Sequence, residues 1–255
     1  MYINDVHILS YVGVGILAAI IGWFINWANL RLPEEKKVFS KEIFKQYKKV
    51  KINGWIIISM IFSYIALVYF CGIHKDFYAN LTLIKFAILI PMLLSAFVID
   101  YRLQIIPNRL NLTMFEIGLL ITFIYGISNI NIAREMLLGM VTGAGIFLLI
   151  TLMGGLIAGK EAMGFGDVKL MGALGLYFGL YGIIVVSLIA FLLGAVISIV
   201  LIATKKKKSD EYIPFGPFIV MAAIIVIFVP FDILVQILYK VFTLGMAKGT
   251  SLKVR

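Results

Sequence analysis

The chain has 255 residues, of which 62% are hydrophobic and 14% are charged, with a mean hydropathy of +1.04. A soluble domain is about half apolar and about a quarter charged, so this composition excludes a water-soluble globule. The net charge of +10 is typical of a membrane protein whose basic loops lie against anionic lipid, and we expect no nucleic-acid partner.

Apolar runs long enough to cross a bilayer recur along the chain, and each must be helical because lipid cannot hydrogen-bond exposed backbone groups. The sequence predicts an all-α fold, a polytopic transmembrane helical bundle of about eight spans, with residues 1–255 forming one membrane-embedded domain. The predicted spans are Val6–Ala28, Trp55–Ile73, Leu83–Ile99, Leu110–Ile127, Met136–Ala158, Val168–Leu180, Gly182–Ala203 and Pro214–Leu238.

The first run is expected to be a retained span, because no Lys or Arg precedes it and it is longer than the apolar part of a signal peptide. The segment Asn29–Gly54 carries eight basic residues, which predicts that it lies on the cytoplasmic side. Alternation then places 100–109, 159–167 and 205–208 on the same side of an inner or plasma membrane.

The apolar stretch Leu170–Ala203 is too long for one crossing. A helix of 34 residues would extend about 50 Å, against about 30 Å for the hydrocarbon core. Gly179 and Gly182 offer a turn, so we predict a hairpin. The small-residue pairs Gly139/Gly143 and Gly175/Gly179 predict close helix packing inside the bundle.

Cysteine and histidine are scarce in this chain. Cys71 is the one cysteine, and the two histidines, His7 and His74, are far apart in sequence. An internal disulfide is therefore excluded, and we expect no zinc or other metal site.

Acidic residues in or beside spans are costly and are candidates for function. Four of the thirteen acids border or enter spans, namely Asp100, Glu116, Asp167 and Asp232. We expect Glu116 to face protein or a water-filled cavity, and Asp232 to lie at the outer interface.

Asp100 and Asp167 are predicted to share one membrane depth. Asp100 ends an apolar run, and Asp167 follows Gly164-Phe-Gly166 directly before another. Glycines remove side-chain bulk and permit unusual backbone geometry, so an extended substrate could approach the carboxylate. Two carboxyl groups in one site cannot both ionise easily, so one accepts a proton while the other holds one, as an aspartic peptidase requires.

Each acid also has a structural explanation. Asp167 would serve as the N-cap of the helix that follows it. Asp100 would pair with Arg102 or Arg109.

Four segments, taken together, carry a family pattern. They are Gly22–Pro33, Ile99-Asp100 with Ile106-Pro107-Asn108-Arg109-Leu110, Gly164–Leu170, and Ile213-Pro214-Phe215-Gly216-Pro217-Phe218. In order and separation they resemble the motifs of the prepilin peptidases (type IV leader peptidases), membrane aspartic peptidases of the Gly-x-Gly-Asp type. The resemblance implies catalytic roles for Asp100 and Asp167. It implies supporting or substrate-binding roles for Asn26, Arg31, Pro107, Asn108, Gly164, Gly166, Lys169, Pro214 and Gly216.

The resemblance also implies a substrate and a location. Members remove the short basic leader of type IV prepilins, or of the pseudopilins of type II secretion, at the cytoplasmic face of the bacterial inner membrane. The expected partners are such a substrate, with its hydrophobic N-terminal helix, and membrane lipid. Many members then methylate the new N-terminus with S-adenosylmethionine, while proteolysis needs no cofactor.

Two departures from the family pattern bear on methyl transfer. Many members carry two Cys-x-x-Cys pairs in the first cytoplasmic loop, and Asn29–Gly54 has no cysteine. Trp23 also replaces a small serine. S-adenosylmethionine is therefore expected only if methyl transfer is retained.

Other functions are compatible with intramembrane acids. A proton- or cation-coupled transporter could use Asp100, Glu116 and Asp167, but its coupling acids are expected near the bilayer midplane, often with repeat symmetry. An archaeal-type preflagellin peptidase usually has fewer spans. A presenilin-like peptidase favours a Tyr-Asp first motif and a Pro-Ala-Leu segment, which this sequence lacks.

Overall fold

The computed structural model describes residues 2–4, 6–36, 38, 53–73, 77–158, 163–205 and 213–243. Within these residues a two-stranded hairpin, Tyr2–Ile3 with Val6–His7, precedes eight helices. The helices are α1 (Ile8–Arg31), α2 (Gly54–Cys71), α3 (Phe77–Leu103), α4 (Asn108–Ser128), α5 (Ile130–Ala158), α6 (Phe165–Ala203), α7 (Gly216–Phe228) and α8 (Phe231–Phe242).

Six helices, α1 to α6, are long and apolar enough to cross a membrane. Their outward surfaces carry large apolar side chains such as Ile20, Phe62 and Phe123, which are exposed in the isolated chain and suit contact with lipid. The predicted all-α, multi-pass membrane fold is confirmed.

Helix α6 reverses direction at Gly179. The backbone there is non-helical, with φ 68° and ψ −176°. A Cβ at Gly143 of α5 would lie 2.5 Å from the carbonyl oxygen of Met171 and 2.9 Å from Cγ1 of Ile183. In a straight helix Met171 and Ile183 would be about 18 Å apart, so they could not both contact Gly143. The predicted hairpin is therefore present, with a first arm (165–178) and a second arm (180–203).

The count of eight full spans needs correction. The first arm has 14 residues and α7 has 13, so each is only about 20 Å long, which is shorter than the hydrocarbon core. The last predicted span, Pro214–Leu238, is two helices. The break falls at Val229, which is extended because it precedes Pro230. The helical conformation is disfavoured for a residue before proline.

Glycines bring α5 and the first arm into close contact. A Cβ at Gly139 would lie 2.5 Å from the carbonyl oxygen of Gly175, so the two backbones meet directly there. The small-residue pairs thus serve packing within the bundle, as predicted. On the other side, α1 packs on α2 around Ile25 and Met60.

One end of the bundle gathers the parts that matter for function. It contains the end of α3, the start of α4, the start of α6 and the start of α7, and we call it the aspartate end. Four rings, those of Phe147, Phe191, Phe215 and Phe218, pack together, and the centroids of contacting pairs are 5.2–5.9 Å apart. This cluster fixes the start of α7 against α5 and the second arm.

Candidate active site

Asp100 lies in the last turn of α3 and is 3% exposed. Its Oδ2 is buried without a hydrogen-bond partner among the described residues, and the backbone of Gly216 lies against the same carboxyl group. Asp100 forms no ion pair with Arg102 or Arg109, all three being in the described part of the chain. The pairing explanation for Asp100 is therefore wrong.

Asp167 lies in the first turn of α6 and is 4% exposed. The N-cap of α6 is Gly164, which is extended at φ −68° and ψ 139°, and the Asp167 N–H donates to the Gly164 carbonyl at 3.0 Å. The N-cap explanation for Asp167 is therefore also wrong. A carboxylate in the first turn is favoured by the helix dipole.

The two aspartates are brought together although they are 67 residues apart in the sequence. The Asp100 carboxyl group is close enough to act electrostatically on Asp167. Ile106 lies against both neighbouring glycines, because a Cβ at Gly166 would be 3.3 Å from its Cβ and one at Gly216 would be 3.2 Å from its Cδ1. Three of the four sequence motifs thus meet at one point.

Neither glycine before Asp167 has a backbone conformation that requires glycine. Gly164 has an ordinary extended backbone and Gly166 is helical, and neither has a positive φ. The expectation of unusual backbone geometry is wrong. At Gly166 a Cβ would lie 3.3 Å from the Cβ of Ile106, so a side chain there would press on that residue.

The supporting residues Pro107, Asn108 and Lys169 form one group at the aspartate end. Pro107 is the N-cap of α4, where a missing N–H has no cost. Lys169 Nζ donates to Asn108 Oδ1 at 2.8 Å, which ties the start of α6 to the start of α4. Pro214 lies directly before the phenylalanine cluster.

Asn111 belongs to the site, and the sequence analysis missed it. It is 3% exposed, and its Nδ2 donates to the Gly166 carbonyl at 3.1 Å. Its Oδ1 is buried with no hydrogen-bond partner among the described residues. The available signal was a polar residue at the start of an apolar span, since polar residues within spans usually face protein.

The N-terminal motif is used for internal structure. Asn26 donates from Nδ2 to the Gly22 carbonyl at 2.9 Å and accepts from the Asn53 N–H at 2.8 Å, so it joins α1 to the start of α2. The Arg31 guanidinium lies 5.0 Å from the centre of the Trp27 ring. Most of the loop Asn29–Gly54, in which the zinc motif would lie, is outside the described residues.

Glu116 does not face the protein interior. The buried face of α4 is formed by residues such as Leu110, Met114 and Gly118, and Glu116 projects from the opposite side with an exposed side chain. The inward expectation for Glu116 is wrong. Asp232 is exposed in the first turn of α8.

A groove of about 840 Å³ opens beside Asp167, between α4, α5 and the first arm. We call it the lateral groove. Its mouth carries Arg109 and Lys169, and its wall is apolar, including Phe115, Ala144 and Leu148. Asn111 also lines it.

The described residues contain no group of three or more His, Cys, Asp or Glu that could hold a metal ion. Asp100 and Asp167 are two such residues, one fewer than that group needs. The absence of zinc stays a prediction, because part of the first loop is not described.

Comparison with known sequences identifies the region that contains both aspartates. Residues 87–199 match the profile of the type IV leader peptidase family. The match includes Asp100, Asn111 and Asp167, while the N-terminal motif and the Pro214–Gly216 segment lie outside the matched residues.

Curated proteins that are similar to this part of the chain include several named prepilin leader peptidase/N-methyltransferase. The protein of Xanthomonas campestris is 34% identical over 131 residues, which is 51% of this chain and 44% of the relative. That of Aeromonas hydrophila is 32% identical over 49% of this chain and 42% of the relative. That of Escherichia coli K12 is 31% identical over 52% of this chain and 57% of the relative. The aligned stretch spans about half the length of these relatives, and no solved structure matches the chain.

Proposed function

We propose that this chain is a membrane aspartic endopeptidase that removes the basic leader of a type IV prepilin or pseudopilin. The observation that carries the proposal is the pair of buried carboxyl groups, Asp100 and Asp167, within electrostatic reach of each other. The family match of residues 87–199 and the relatives' names support the substrate class. We place the aspartate end at the cytoplasmic face of the inner membrane, because the basic segments predict that side.

In this proposal the two aspartates act as one catalytic unit. One, ionised, takes a proton from water as the water oxygen bonds to the carbonyl carbon of the scissile amide. The other, protonated, donates a hydrogen bond to the carbonyl oxygen and stabilises the tetrahedral intermediate. When the intermediate collapses, a proton passes to the leaving nitrogen and the C–N bond breaks. Either aspartate fits either role, and the pair titrates as a unit.

The surroundings of Asp100 and Asp167 suit this chemistry. The Gly216 backbone lies against Asp100, and the first turn of α6 holds Asp167. Burial of both groups disfavours two neighbouring negative charges, which is the condition for a shared proton. A coupled transporter gains no support from this arrangement, since both carboxyl groups lie at helix ends rather than mid-helix.

The test is cleavage of one prepilin by four variants at matched membrane abundance. Asp100→Asn and Asp167→Asn, nearly isosteric changes that prevent proton exchange, should each lower the cleavage rate by several powers of ten. The double variant should be scarcely slower than either single one, because residues that act as a unit are non-additive. Glu116→Gln, the matched control, should keep most activity. Substantial cleavage by either single aspartate variant would contradict the proposed mechanism.

We propose methylation of the new N-terminus as a second activity, which the relatives' names support. Asn29, in the N-terminal motif, has both amide atoms, Nδ2 and Oδ1, buried without hydrogen-bond partners among the described residues. A side-chain amide matches the donor and acceptor edge of adenine, so Asn29 fits holding the adenine of S-adenosylmethionine. When bound, that cofactor supplies an electrophilic methyl group.

Binding of radiolabelled S-adenosylmethionine to the purified protein tests this second activity without relying on turnover. Asn29→Ala should weaken binding by about tenfold, the loss expected for one paired amide. Asn129→Ala, a change at an exposed helix end, is the control. Equal binding by the Asn29 variant and the unchanged protein would contradict the assignment.

A further inference from the structure

The lateral groove has the properties of a binding site for an apolar helix. Its wall is apolar, and it is open along the side of the bundle that faces lipid. Grooves of this kind receive helices that lay an apolar face into them. Val168 and Lys169, which line the groove, directly follow Asp167 in α6, so one end of the groove lies next to the candidate catalytic pair.

Asn111 gives the groove a specific polar feature. Its Nδ2 is engaged by the Gly166 carbonyl, so the orientation of the amide is fixed, and its Oδ1 is a buried acceptor that no described residue satisfies. A buried acceptor without a donor is costly, and a ligand with a free N–H would remove that cost. The first turn of every helix offers such groups, because its first four N–H groups lack partners within the helix.

The charges at the mouth set the direction of the ligand. Arg109 and Lys169 are exposed there, and Lys169 is held by Asn108. A basic leader would be repelled by these cations, so it cannot be the part that enters the groove.

We propose that the lateral groove holds the first turns of the apolar helix that follows the scissile bond of the substrate, with Asn111 accepting one of its free N–H groups. This inference rests on the proposed function. It adds a substrate site and an orientation: the helix lies between α4, α5 and the first arm, and the leader extends away from Arg109 and Lys169.

Gly145 allows the groove to be filled without disturbing the fold. It lines the groove, and a Cβ added there meets nothing within 4 Å. Gly145→Leu should raise the KM for a full-length prepilin by about tenfold, because the leucine occupies the space of the helix, with kcat little changed. For a truncated peptide that ends two residues after the scissile bond, KM should stay near that of the unchanged protein. Gly13→Leu, at an equally open position in α1, is the matched control for both substrates.

A photocrosslinking amino acid gives a readout that does not depend on cleavage. Val141 lines the groove and is 61% exposed, and Val196 is 59% exposed on the second arm. A benzoylphenylalanine at 141 should crosslink to the full-length prepilin, and one at 196 should not. Crosslinks to lipid alone at 141, or a Gly145→Leu effect that is equal for both substrates or absent, would overturn the proposal. If the unchanged protein cleaves neither substrate, the proposed function fails. The crosslink at 141 still shows whether the prepilin binds in the lateral groove.

Discussion

Gly216 sets the position of the Asp100 carboxyl group. A Cβ at Gly216 would lie 2.5 Å from Asp100 Oδ2 and 3.0 Å from its Cγ, which is closer than real carbon atoms approach. The start of α7 is held by the phenylalanine cluster, so the aspartate side chain would have to move. Glycine at 216 is therefore required by the observed position of the Asp100 carboxyl group rather than by the helix.

Gly216→Ala should lower the cleavage rate by at least about tenfold, or about 1.4 kcal/mol in the activation free energy, because Asp100 is displaced from its partner. The measurement is initial cleavage rate, with the thermal midpoint recorded to show that the fold is retained. Gly15→Ala is the control, since a Cβ there meets nothing within 4 Å. Cleavage by Gly216→Ala at the rate of the unchanged protein would show that Asp100 need not stay where it lies.

At this scale the sequence motifs predicted the meeting of Asp100 and Asp167, because acids at the ends of apolar runs are rare and costly. They did not predict Asn111, since its importance depends on a hydrogen bond to a backbone carbonyl 55 residues away. They also predicted an unusual backbone at Gly164 and Gly166, which neither residue has. A glycine needed for a positive φ and one needed for close packing look the same in a sequence. At Gly166 the structure distinguishes the two roles, because φ is not positive and Ile106 lies close to the position of a Cβ.

The connection between α3 and α4 is the element that joins the motifs. Helix α3 ends at Leu103, Gln104 turns the chain with a φ of 56°, and α4 begins after Pro107. Between them Ile106 is half-buried and lies against Gly166 and Gly216, whereas its neighbour Ile105 is 48% exposed. The connection thus acts as a spacer between the starts of α6 and α7.

Ile106→Trp should lower the cleavage rate by about tenfold or more, because the larger ring forces apart the start of α6, which holds Asp167, and the start of α7, which lies against Asp100. A small misplacement of a catalytic group costs large factors in rate. Ile105→Trp adds the same ring at an exposed position and should change the rate by less than about twofold. Cleavage rates of the two variants at matched abundance provide the comparison. Equal rates would show that the spacer has no part in positioning the aspartates.

Helix boundaries were predicted well where the length of an apolar run determines them, and poorly where a single proline determines them. The reversal in α6 followed from a run too long for the bilayer, and it occurs at Gly179. The break between α7 and α8 was missed, since averaged hydropathy does not register the effect of Pro230 on Val229. Helix α8 also has Asp232, Gln236 and Lys240 along one stripe, with Leu234 and Leu238 buried, which is an amphipathic pattern rather than that of a span.

For the whole molecule, the hairpin in α6 decides which side each later segment occupies. With the reversal, the end of the second arm returns to the aspartate end, where Phe215 packs against Gly194 and Gly216 reaches Asp100. A straight α6 would place its end, and the start of α7, at the opposite end. The contact between Gly216 and Asp100 therefore depends on the hairpin, and so does the candidate active site.

Accessibility of two cysteines tests this arrangement together with its orientation in the membrane. In a Cys71→Ser background, Thr204→Cys follows the second arm and Ser128→Cys ends α4 at the opposite end, and both positions are exposed. An impermeant thiol reagent added outside intact cells should label the cysteine at 128 and not the one at 204, because the basic segments keep the aspartate end in the cytoplasm. Permeabilised cells, in which both should react, are the control. Labelling at 204 and not at 128 would show that the orientation in the membrane is the opposite one. Labelling at both would show that α6 crosses the membrane once, as a straight helix. Because Gly216 cannot reach Asp100 from the end of a straight helix, that second result would remove the geometric basis of the catalytic pair.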